Sequence, residues 1–295
     1  MNVPDKRVRA EGFTLIELLV AIALLAVVLS ALVAFFSQSS RVATESGSRA
    51  ELQQEILNAQ QLIAGRLKEA WYVYPAGYTL QLGASATSTA NLRQNPIPNT
   101  ARTGYANWLT GSDPVLAMVL PPRAAGTCPA ESATATVKAA GADFCYRFFA
   151  YYPVKRSVWV SGTGGTSAPS ASNPGDEPAN DNVWVLAEYR KTLYGFTPDS
   201  AVPTALDGGD ANLLTDYLAP TYATSGFTTS SNTYRMFTLI SANGAATSST
   251  NPVSGVTLKL ATTRNTGGKV LRLPDQTGTY TITIYPANLG KIASN

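Results

Sequence analysis

The sequence predicts an α+β chain: one long N-terminal helix followed by a mainly antiparallel β-sheet head. Three observations predict it. Phe13 to Phe36 is an apolar run with Glu17 as its only ionisable side chain. Ser37 to Ala70 continues without proline and places apolar residues at helical steps. After Trp71 the pattern changes to short β-branched and aromatic runs, separated by Gly, Pro, Ser, Thr and Asn.

The apolar run has 24 residues, enough for about 36 Å of helix, against a hydrocarbon core of about 30 Å. Lys6, Arg7 and Arg9 precede it, and positive charge before a spanning segment keeps that end in the cytoplasm. A cleaved secretory signal would need a shorter core and a small-residue cleavage site, and SALVAFFSQSS offers no clean one. An ordinary single-pass anchor leaves Glu17 unexplained, because a charge at mid-bilayer costs about 2.5–3.5 kcal/mol and usually has a partner.

Beyond the run, Leu52, Ile56, Ala59, Ile63, Leu67 and Ala70 recur at steps of three and four, one stripe facing a partner layer. The helix is therefore expected from Phe13 to Ala70. Ser37 to Ser48, with Gly47, is poor in helix formers and predicts a bend or partial melting there.

In the head, strands are expected near Tyr78–Leu82, Val115–Leu120, Phe144–Tyr152, Val158–Val160, Val183–Tyr189, Met236–Ile240, Val256–Thr262 and Thr279–Tyr285. Turn signals such as Pro121-Pro122, Gly164-Gly165 and Gly267-Gly268 separate them. YTITIYP alternates Tyr280, Ile282 and Ile284 with threonines, a half-buried strand. LLTDYL (Leu213–Leu218) reads as one short helical turn. Ser85–Thr100, Ser161–Asn182 and Ser241–Ser254 read as long surface loops.

Composition excludes several chemistries. There is no histidine, so Ser-His-Asp, Cys-His and Cys/His zinc arrangements cannot exist. No nucleophile–base pair stands out, so no enzymatic activity is expected. A net charge of +3 does not by itself indicate a nucleic-acid protein. Cys128 and Cys145 both lie in the part that the topology exports. One disulfide is expected, closing a loop worth about 3 kcal/mol; two free thiols are the alternative.

Gly12-Phe13-Thr14-Leu15-Ile16-Glu17, behind a basic leader and ahead of a long apolar helix, resembles the processing site of type IV prepilins and the related type II secretion pseudopilins. The resemblance implies a pilin-like fold, with cleavage between Gly12 and Phe13 by the prepilin peptidase and methylation of Phe13. It implies residues 1–12 as leader, 13–36 as transmembrane or filament-core helix, 37–70 as its amphipathic continuation and 71–295 as a β-rich head. Glu17 would neutralise the N-terminal amine of a neighbouring subunit during assembly, where a buried carboxylate is tolerable once a cation meets it. Implied partners are other pilin subunits, inner-membrane assembly proteins and the membrane itself. The chain would sit in the inner membrane with its head exported, then enter a periplasmic or cell-surface filament. Major pilins usually carry a proline at the position of Ala34. Its absence here and the large head depart from the major-subunit pattern, and the late order of Val183–Tyr189, LLTDYLAP and paired strands VTLKLATTR and TYTITIYP resembles the W-type minor pilins and the J-type minor pseudopilins.

No cofactor is expected, with calcium as the one candidate. Asp176, Glu177 and Asp181 form one acidic cluster, and Asp207, Asp210 and Asp216 another. Neither follows the spaced oxygens of an EF-hand, and solvated turn carboxylates are the ordinary reading. Arg264, Lys269 and Arg272 lie in a basic C-terminal stretch that could contact DNA phosphates, against the plainer reading of a basic surface.

Overall fold

The computed structural model describes residues 14–83, 92–95, 106–163, 173–219, 234–248, 250–266 and 268–289. The chain divides into two compact units, Met1–Ala50 and Glu51–Asn295. The division falls inside α1 (Leu15–Glu69), a 55-residue helix.

In the first unit the large apolar residues from Leu15 to Phe36 are exposed. The helix is long and apolar enough to cross a membrane. The melting expected over Ser37–Ser48 is absent, and the segment is helical throughout. The Thr44 hydroxyl is satisfied inside the helix by the Ser40 carbonyl at 2.9 Å. Arg49 pairs with Glu45 one turn back at 2.9 Å, the spacing that supports a helix locally.

In the second unit the C-terminal part of α1 packs on antiparallel sheet. Seven strands form the main sheet: β1 (Tyr72–Val73), β4 (Leu116–Leu120), β5 (Tyr146–Lys155), β6 (Trp184–Leu193), β7 (Asp210–Leu218), β10 (Thr262–Thr266) and β11 (Lys269–Leu273), in that spatial order. A second sheet has the order β12-β9-β8, from β8 (Phe237–Ser241), β9 (Val253–Leu260) and β12 (Tyr280–Ile284). A small one pairs β2 (Thr79–Gln81) with β3 (Asn107–Leu109).

Both faces of the central strands are covered. Leu116, Met118 and Leu120 meet Ile56, Ile63 and Leu67 of α1 in one core, which also takes Val256, Leu258 and Ile284 of the second sheet. Ala117 and Val119 point the other way, into a core with Leu80, Trp108, Phe148 and Trp159. Alternation therefore distributes β4 between two cores, and the run LAMVL is apolar throughout because neither face meets water. Burial of the Ile56, Ile63 and Leu67 side chains is worth roughly 1.5–3 kcal/mol each.

Two expected elements are of the opposite kind. Val158–Val160 lies in a helix, α3 (Arg156–Thr163). Its buried residues are Arg156 and Trp159, three apart, the period of a helix face. LLTDYL belongs to strand β7 rather than to a helical turn. Its register against β6 shifts twice, between Trp184 and Leu186 and between Leu186 and Ala187. Such irregularities break the period-two pattern and leave Thr215 and Asp216 buried side by side. The strand expected over Val256–Thr262 is two strands, because the chain leaves β9 at Leu260 and enters the main sheet at Thr262. The expected pairing of VTLKLATTR with TYTITIYP is present over Val256–Leu260 and Tyr280–Ile284, with Leu258 opposite Ile282, whereas the chain from Thr262 pairs with β11.

Candidate functional site

Gly12 and Phe13 lie outside the described residues. The N-terminus of α1 is built from Thr14 and Glu17. The Glu17 carboxylate accepts hydrogen bonds from the Thr14 backbone N–H at 3.1 Å and hydroxyl at 3.0 Å. The Glu17 N–H donates to Thr14 Oγ1 at 3.4 Å. This is a capping box: each residue's side chain satisfies the other's backbone, where the first turn has no internal partners. A carboxylate there also opposes the positive end of the helix dipole. The Thr-x-x-Glu spacing that builds it is a sequence signature of a helix start.

The head carries a buried polar network in which sequence reasoning missed Glu55, Arg156 and Tyr217 and gave Glu177, Asp216 and Arg264 other roles. Glu55 on α1 accepts the backbone N–H of Asp216 at 2.7 Å. Asp216 holds the Arg156 Nε–H through both oxygens, at 3.0 and 3.1 Å, and the Arg156 side chain is 1% exposed. The Tyr217 hydroxyl donates to Glu177, and Arg264 lies 3.4 Å from the same carboxylate. Arg264 and Arg156 both approach the Tyr217 ring, at 4.4 and 5.4 Å. Tyr217 takes φ +48°, a left-handed conformation uncommon for a bulky residue. Burial pushes the Glu55 and Asp216 carboxyls up, and the hydrogen bonds each receives only partly offset it. Burial also acts on Glu177, but the Tyr217 hydroxyl and the two arginines outweigh it and hold that carboxyl low.

Two of the calcium candidates, Glu177 and Asp216, belong to this network. Glu177 is committed to Tyr217, Arg264 and Arg156, and Asp216 to Arg156. Between Glu177 and Asp181, Asn180 is buried and exchanges hydrogen bonds with the Asn265 backbone at 3.1 and 2.7 Å. Among the described residues no group of three or more His, Cys, Asp or Glu gathers as a metal site.

The hairpin of β10 and β11 separates the basic candidates. Arg264 lies opposite Leu271, Lys269 opposite Thr266 and Arg272 opposite Thr263. Directly paired residues share a face and neighbours alternate, so Arg264 and Lys269 point to one side and Arg272 to the other. Arg272 also donates to the Asp275 carbonyl.

Cys128 and Cys145 are joined in a disulfide, S–S 2.05 Å. It ties the segment containing α2 (Ala135–Gly141) to the start of β5, with Cys145 fully buried.

Residues 7–33 match the family model of the prokaryotic N-terminal methylation motif. The chain carries that motif. The match is consistent with a type IV prepilin-like protein, and it covers none of the head. No curated protein matches the chain, and no solved structure does. Gly12, Phe13, Thr14 and Glu17 all fall within the motif, so the capping box lies inside the matched segment. The disulfide, the Glu55–Asp216–Arg156 network and the basic hairpin lie outside it.

Proposed function

We propose that the chain is a minor pilin, a structural subunit that primes, caps or joins the filament of a type IV pilus machine. The observation that carries this reading is the methylation motif at residues 7–33, coinciding with the exposed apolar part of α1. So continuous an apolar surface needs cover from lipid or from other helices, and a pilin uses each in turn. Before assembly the segment spans the inner membrane with Lys6, Arg7 and Arg9 in the cytoplasm and the head exported. The prepilin peptidase removes residues 1–12 and methylates Phe13. The subunit then joins other pilins and the inner-membrane assembly proteins, in a periplasmic or cell-surface filament used for twitching, adhesion or natural transformation.

Ala34 in place of proline and a head of 225 residues (71–295) favour a minor over a major subunit. The same two features suit a minor pseudopilin of type II secretion, the second reading. A DNA-uptake role draws less support, since Arg264 spends its charge on Glu177 and Arg272 faces away from Lys269.

The test is the mature N-terminus. In cells with active prepilin peptidase, the protein should begin at Phe13, and Gly12→Val should keep the whole leader. An intact leader on the wild-type protein rejects the pilin reading. Co-purification with pilus subunits or with secretion pseudopilins then separates the two readings.

A further inference from the structure

We infer that a cleft on the head binds a single compact oxyanion, a carboxylate or a phosphate, through Arg147. The cleft has a volume of about 590 Å³ and lies between the end of α1, the disulfide-bonded segment and strands β5 and β6. Its cations are unequally matched. Arg66 and Arg190 share the buried carboxylate of Glu188. Arg123 faces Asp143 at 3.3 Å and Lys138 faces Glu131 at 2.8 Å. Arg147 has no carboxylate partner among the described residues. One Nη donates to the Pro121 carbonyl at 3.3 Å, and its buried Nε–H has no acceptor.

The surroundings sharpen the demand for an anion. The Arg66 and Arg147 guanidinium groups both face the Phe149 ring, at 4.2 and 5.9 Å. Burial disfavours the Arg147 charge, with Arg123 and Arg66 adding to the effect against a smaller opposing influence from Glu69 and Asp143. A guanidinium presents a planar fork that matches the two oxygens of a carboxylate or phosphate. An anion on Arg147 would offset the repulsion from Arg123 and Arg66.

The lining limits what that anion can be. Glu69, Glu131, Asp143, Asp207 and Asp210 also line the cleft, so a continuous polyphosphate would bring charge against five carboxylates. One small group carrying one or two charges avoids them. The inference does not depend on the pilus reading.

The test uses the full chain in detergent micelles, with Tm followed at matched ionic strength. Inorganic phosphate should raise Tm saturably where chloride does not. Losing a charge-assisted hydrogen bond should move half-saturation up about ten-fold or more in Arg147→Gln. The exposed Arg123→Gln, which disturbs packing less, should shift it in the same direction, and Lys269→Gln, outside the cleft, should leave it unchanged. A short peptide with one glutamate distinguishes the sources. If it competes with phosphate and binds at least as tightly, the anion is a protein carboxylate. If phosphate alone binds, it is a free ion. No saturable phosphate response, the same response in all three variants, or tighter binding of a single-stranded oligonucleotide than of phosphate would overturn the inference.

Discussion

The Glu55 carboxylate on α1 accepts the backbone N–H of Asp216 on β7 at 2.7 Å, joining the helix to the main sheet through two carboxyls that burial raises. A raised folded-state value means the native head holds these protons at a pH where the unfolded chain has lost them. Their contribution is thus fully present below the unfolded carboxylate values and disappears as pH rises through the raised ones. Glu177, held low, acts oppositely, its contribution being lost only at more acidic pH. Mild acidification from neutral should therefore stabilise the head. Glu55→Gln keeps an acceptor for the Asp216 N–H and removes a charge also disfavoured by Asp216 and Glu51. It should raise stability at neutral pH and flatten the pH slope, read by urea unfolding of the full chain in detergent. An unchanged slope would contradict this.

Asp216→Ala should be far more damaging. It takes away the carboxylate that holds the buried Arg156 Nε–H and leaves Glu177, at 3.8 Å, as its remaining counter-charge; breaking one side of a buried pair costs about 3–5 kcal/mol. Replacing both partners with apolar residues of similar size should cost much less, since neither charge is then desolvated. Comparing Asp216→Ala with Arg156→Met/Asp216→Leu in the same urea titration checks both statements. Equal losses in the two would argue that packing, rather than the stranded charge, sets the cost.

Cys128→Ser should destabilise the head by about 2–5 kcal/mol. The bond anchors the segment leading through α2 to β5, whose first residues form part of the second core. Thiol labelling of the exported wild-type protein should find neither cysteine free, and labelling at both would remove the prediction.

The sequence carried the helix and most strands because their apolar patterns were long or strictly periodic. Leu52 to Ala70 kept one stripe over five turns, and Tyr280, Ile282 and Ile284 kept strict alternation. Val158–Val160 was too short to separate strand from helix by periodicity. In the structure the helix begins at Arg156, whose guanidinium is buried on an aspartate 60 residues later. LLTDYL mimicked a helical face because register shifts against β6 changed its phase, and a register is set by the partner strand. At the candidate site, the methylation motif and the cysteine pair were readable as local pattern or parity. Glu55, Arg156 and Arg147 were not, and Asp216 stood out only as one carboxylate of an acidic cluster, since each matters through residues distant in the chain.

The last prediction concerns Glu17, for which local and intersubunit roles give different outcomes. In the capping box its carboxylate accepts from Thr14, and a glutamine oxygen at the same position can accept the same bonds. Glu17→Gln therefore preserves the helix start and removes only the charge. Glu17→Ala removes both. Membrane insertion of Glu17→Gln should be unharmed or slightly favoured, because an ionisable group leaves an apolar segment. Cleavage after Gly12 should persist. If the charge meets a neighbour's N-terminal amine, that amine loses its counter-charge in a low-dielectric bundle. Co-purification of Glu17→Gln with partner pilins should then fall nearly as far as that of Glu17→Ala. If Glu17 only caps its own helix, Glu17→Gln should co-purify at the wild-type level and Glu17→Ala alone should fall. That second pattern, seen with equal insertion of both variants, would leave the capping box as the whole role of Glu17.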